Sequence, residues 1–159
     1  MTRVSVAVPA LRLFLVVLFA ALVPFETSSL PGQYAHMAEE FPEDAHLRWP
    51  STVVTVFWVV CVQVVIVAMW KLLTRVAEDR IFSEASMTWV NVIVGTIAAG
   101  WVSMVVVFVF LGFIADDPGV LVLWFLMTVA VAVVGLLMVV MRALLRQATA
   151  LRTDLEAVI

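Results

Sequence analysis

Three long stretches of the chain carry no charge at all: Trp49–Trp70, Ala85–Ala115 and Pro118–Met141, with 22, 31 and 24 residues. A helix rises about 1.5 Å per residue, so even the shortest reaches about 33 Å, enough for a hydrocarbon core of about 30 Å. Their many valines would favour strands in a soluble protein, but the runs are long and lack a two-residue alternation. A lone apolar strand in lipid would leave its backbone unpaired, whereas a helix pairs its own. The run of 31 exceeds a perpendicular span and must tilt or begin outside the lipid. At the N-terminus only 13 uncharged residues, Leu13–Phe25, follow Arg3 and Arg12. They fit either the apolar region of a signal peptide or a first span from Val8 to Phe25 with Arg12 reaching back to the interface. Leu-Val-Pro-Phe after Ala20-Ala21 is a poor cleavage site, which favours the span. The pattern predicts one all-α domain over 1–159. Its spans cover 8–25, 49–71, 85–114 and 118–141, with an outer loop over 26–48 and a tail over 142–159.

The connections fit that layout. In Asp116-Asp117-Pro118-Gly119, Asp117 is placed to cap the fourth helix with Pro118 at its first position. Ser83 is a candidate cap for the third helix, with Glu84 favourable at its positive end. Short connections make helices two to four antiparallel neighbours. From Arg142 onward, Leu144, Leu145, Ala148, Leu151, Leu155, Val158 and Ile159 repeat at helical spacing, away from Arg146, Thr153, Asp154 and Glu156. This predicts a cytoplasmic amphipathic C-terminal helix beyond a four-helix bundle in the membrane. Three uses of it stay open: packing on the second helix around Leu72 and Val76, lying on the membrane surface, or binding a cytoplasmic partner.

Composition strengthens the membrane reading. Of 159 residues, 65% are apolar and 13% charged. A water-soluble domain of this size could not hide so much apolar surface. A soluble enzyme, a disordered chain and a basic nucleic-acid-binding face are thereby excluded. One cysteine allows no internal disulfide and no cysteine-based metal cage. With four spans, Arg3, Arg12, Lys71, Arg75, Arg80, Arg142, Arg146 and Arg152 share one side, and only Arg48 takes the other. The asymmetry predicts cytoplasmic N- and C-termini. Glu26, Glu39, Glu40, Glu43, Asp44, Asp116 and Asp117 fall outside, and Trp49, Trp70, Trp89 and Trp124 near the interfaces.

Candidate chemistry is sparse. The uncharged runs of spans two to four contain no Asp, Glu, His, Lys or Arg, so a transport pathway has little to use. Gln63 and Asn91 are predicted at similar depth on antiparallel helices, where they could share an interhelical hydrogen bond or each find a separate partner. Asn91, Gly95, Ala99 and Ser103 form a small-residue face suited to internal helix packing, with homo-oligomerisation as the other use. The outer segment holds His36, Glu39, Glu40, Glu43, Asp44 and His46, a set able in principle to hold a divalent cation, although its spacing matches no defined site. Tyr34, Met37 and Phe41 have helical spacing suited to the outer membrane surface. No nucleophile–base set, metalloprotease helix or phosphate loop occurs, so neither an enzyme nor a cofactor is expected.

Two segments carry a family resemblance. Asp79-Arg80-Ile81-Phe82-Ser83 and the ending Leu144–Ile159 resemble the inter-helix motif and C-terminal signature of the bacterial four-helix membrane proteins called domain of unknown function twenty-nine seventy-five, in an actinobacterial-looking version. The resemblance covers nearly the whole chain and is strongest from Lys71 onward. It implies four spans, a bacterial plasma-membrane location, no established catalytic residues and, from the genes that often accompany such proteins, a small helix-turn-helix regulator as partner. Many members carry an Asn shortly after the Phe-Ser pair where this chain has Ser86 and Met87, so no role of that Asn transfers. The reading that follows is a non-enzymatic regulatory or sensor protein in the bilayer. Arg75, Arg80, Phe82, Arg146, Leu151 and Leu155 are its candidate partner-facing residues, and it does not itself bind nucleic acid. The alternatives are a subunit of a small transporter or channel, or a membrane-bound enzyme.

Overall fold

The computed structural model describes residues 2–78, 84–115 and 117–158. Every regular element among them is helical. In chain order these are α1 (Thr2–Pro24), a π-helical turn (Phe25–Ser29), α2 (Leu30–Glu40), a tight 3-10 turn (Pro42–Leu47), α3 (Arg48–Ala77), α4 (Glu84–Ile114) and α5 (Pro118–Val158). Four stretches are long and apolar enough to cross a membrane: Val6–Glu40, Pro42–Ala77, Ala85–Ile114 and Pro118–Leu155. The inter-helix motif Asp79–Ser83, with Arg80, Phe82 and the candidate cap Ser83, lies outside the described residues, as does Asp116.

Two expectations need correcting. The segment 26–48 is helical for most of its length, and the chain reverses only over Phe41–Leu47. Pro24 and Pro31 each remove a backbone donor, which normally ends a helix. Here the break is absorbed. The Leu30 N–H reaches back to the Phe25 carbonyl in the wide turn, and Thr27 Oγ1 donates to the Val23 carbonyl at 2.9 Å. In an apolar surrounding, keeping the ladder satisfied outweighs poor local propensity. The second correction concerns the C-terminus. No separate amphipathic helix follows the fourth span: α5 runs unbroken for 41 residues and is apolar over most of them. No Gly or Pro occurs after Gly135 to stop it.

The chain divides into two compact units, Met1–Leu73 and Thr74–Ile159. In the first, α1 and α2 run antiparallel to α3, because their contacts pair rising with falling numbers. Arg12 Cζ lies 5.5 Å from the Trp70 ring centre, Gln63 Nε2 donates to Glu26 Oε2 at 2.9 Å, and the Tyr34 and Thr55 hydroxyls are 2.7 Å apart. Leu15, Leu30, Val59, Ile66 and Ala68 are buried.

In the second unit α4 and α5 form an antiparallel hairpin, the closest helix–helix approach among the described elements. Its turn follows the sequence expectation: Asp117 Oδ1 accepts the Gly119 N–H at 2.8 Å, and Pro118 opens the helix. Trp101 Nε1 donates to the Thr128 carbonyl at 3.1 Å, and the Phe108 and Phe125 rings lie 6.2 Å apart. The small residue that permits the close approach is Gly135. A Cβ there would stand 3.1 Å from Ile97 Cγ2, whereas one on Gly95 would meet nothing within 4 Å. The small-residue face expected to pack internally is instead mostly outward: Asn91, Gly95 and Ala99 are exposed, and Ser103 Oγ turns to its own helix at the Gly100 carbonyl.

Candidate functional site

Both units present an apolar exterior. Phe14 is 71% exposed, Phe113 85% and Leu136 65%, within continuous bands of Val, Leu and Phe. Water would penalise such surface heavily, while acyl chains match it. Polar atoms held between helices are therefore informative, and the first unit concentrates them.

Gln63 fixes the depth of this polar seam. It stands 15 residues after Arg48 and 8 before Lys71, with no charge between. At about 1.5 Å per residue its amide is about 12 Å inside the nearer charged end. Glu26 is bonded to it, so the carboxyl lies beside the uncharged run of α3 and within the membrane-length stretch Val6–Glu40. Glu26 sits in the π-helical turn, the one interruption of the α1–α2 ladder. Two helical turns further on, Tyr34 and Thr55 make the next rung, and the Thr55 hydroxyl also reaches the Ser51 carbonyl at 2.9 Å. Beyond them a half-open pocket of about 180 Å³ is lined by Tyr34, Met37, Phe41, Asp44, Arg48 and Ser51. Tyr34 and Met37 lie on α2, whereas Phe41 stands just beyond its end, outside the helical spacing expected of it.

The other candidates are placed as follows. Gln63 has its bond inside the first unit, and Asn91 lies exposed in the second. Arg75 is half-buried near the end of α3. Arg146 is exposed, Leu151 is 65% exposed and Leu155 67%, all on α5. In the outer segment His36 Nε2 is 3.5 Å from Glu40 Oε1 one turn along α2, and His46 Nδ1 is 3.2 Å from the Glu43 carbonyl. Among the described residues no three His, Cys, Asp or Glu side chains come together as a metal site.

Glu26 is the residue that sequence reasoning missed. Counting polar groups only in spans two to four left it out. A signal was present: Leu30, Tyr34 and Met37 follow Glu26 at four, eight and eleven residues, extending one helical face backward through it.

These features define an all-α, multi-pass membrane protein with membrane-length helices. The chain belongs to the family described as protein of unknown function DUF2975, whose model matches residues 32–159. No curated protein and no solved structure matches it.

Proposed function

We propose that the chain is a non-enzymatic regulatory protein of the bacterial plasma membrane, with both termini in the cytoplasm, that docks a cytoplasmic protein on the end of α5. The observation that carries this is the length and surface of α5. Forty-one residues span about 61 Å, roughly twice a bilayer core. With Pro118 at the outer end, the segment from Arg142 onward projects past the lipid. There Leu144, Leu151, Leu155 and Val158, spaced seven, four and three residues apart, are 54%, 65%, 67% and 86% exposed. An apolar row on a helix in water is what a partner helix or groove covers. The family resemblance supplies the kind of partner, a small helix-turn-helix regulator. Membrane association would keep such a regulator from its operator until the helices change state.

Co-purification of the tagged chain from membranes tests this. The native chain retains a cytoplasmic protein, and the double variant Leu151→Glu, Leu155→Glu loses it while keeping its membrane insertion. Recovery of no cytoplasmic protein by the native chain overturns the reading. A second reading, a subunit of a small transporter or channel, is favoured by the carboxyl of Glu26 at membrane depth.

A further inference from the structure

We propose that Glu26 is a proton-binding site inside the membrane, with Gln63 as its positioning residue. Three independent observations meet there. First, the carboxyl is hydrogen-bonded across the helix pair to Gln63 at 2.9 Å, well within the uncharged run of α3. Second, no opposite charge is close along either helix. Glu26 is the only charged residue between Arg12 and His36, and α3 has none between Arg48 and Lys71. Tyr34 and Cys61 are the other titratable side chains in those stretches, and the Tyr34 hydroxyl is engaged with Thr55. The spanning parts of α4 and α5 carry no charge, from Ala85 to Ile114 and from Pro118 to Met141. Third, the group sits in a π-helical turn with Pro24 before it and Pro31 after it. The backbone is least regular there, and such turns gather at functional positions.

An unpaired carboxylate among apolar helices is costly, and taking up one proton removes the charge. The partner suits that exchange. A glutamine amide has N–H groups that donate to the carboxylate and a carbonyl that accepts from the protonated acid, so one side chain serves both states. The proton comes from water and forms an O–H bond on the carboxyl, with no other bond broken. The site uses nothing of the C-terminal end of α5, so it stands or falls separately from the docking reading.

Carbodiimide labelling of the full chain in lipid bilayers tests it, read by peptide mass spectrometry. A protonated carboxyl adds across the carbodiimide: its oxygen bonds the central carbon, its proton passes to nitrogen, and acyl transfer leaves a stable N-acylurea. Glu26 is expected to react with a membrane-soluble carbodiimide and to be spared by a water-soluble one, while exposed Glu39, Glu40 and Glu43 serve as controls for the aqueous reagent. Gln63→Leu removes the donor to the ionised form and raises labelling at about pH 7 by about threefold. Glu26→Gln abolishes the adduct at that position. The proposal is overturned if Glu26 reacts with the water-soluble reagent like the three controls. It is equally overturned if the membrane-soluble reagent never modifies Glu26.

Discussion

The two helix pairs are held by different means. In the first unit α1 and α2 meet α3 through long or polar side chains: Arg12 over Trp70, Glu26 on Gln63, Tyr34 on Thr55. In the second, α4 and α5 approach more closely through Gly135 against Ile97, with Phe108 near Phe125 and one indole N–H on a backbone carbonyl. Lipid is as apolar as leucine, so neither pair gains from hiding hydrocarbon. What remains is close contact and interhelical hydrogen bonding, and each pair emphasises one of them. A pair joined by polar rungs can change when a proton or partner changes the rung. A pair joined by steric fit has no such handle. The first pair therefore offers a chemical handle that the steric fit of the second does not.

The largest expected effect attacks the steric fit. Gly135→Leu drives a side chain into Ile97 Cγ2 and should destabilise the α4–α5 hairpin by about 1–3 kcal/mol. The matching change in the first pair, Ala20→Leu, faces a groove of about 280 Å³ lined by Leu15, Phe19, Ile66 and Trp70, and should cost less than about 1 kcal/mol. Unfolding of both variants in mixed micelles decides it, and equal losses would erase the contrast. Next in size is the cap. Asp117→Ala leaves the Gly119 N–H without its carboxylate acceptor and should cost about 1 kcal/mol. Amide exchange at the start of α5 should rise, with the first pair unaffected.

How much of this contrast the sequence reveals depends on the kind of interaction. Four apolar stretches and the Asp117-Pro118 turn were legible, because span length and cap chemistry are local properties. The course of the chain from Glu26 to Glu40 was not. The segment 26–48 reads as an outer loop between spans, whereas the structure carries helix as far as Glu40 and accommodates Pro24 and Pro31 through one wide turn. The partner of Gln63 was not legible either. Depth matching offered Asn91 as one partner, whereas the bond to Glu26 joins residues 37 apart in the chain, a pairing that helical spacing on one segment does not specify. The small-residue face failed for a related reason. Spacing along one helix says that a close approach is available, not which helix uses it, and Gly135 on α5 answers to Ile97 while Gly95 stays open.

The smallest expected effect is the most diagnostic. A double-mutant cycle on Glu26→Gln and Gln63→Leu measures the coupling between two side chains, which membrane hydrogen bonds place at about 0.6 kcal/mol. Glu26→Gln keeps the shape and an acceptor oxygen, so part of the coupling survives in that variant. Trp101→Phe in the second pair removes an indole donor from a backbone carbonyl at a similar cost. A measurable coupling between Glu26 and Gln63 would show that a side-chain rung joins the first pair, beside a single-site loss at Trp101 in the second. No coupling between Glu26 and Gln63 would mean that the polar rungs are only another form of packing.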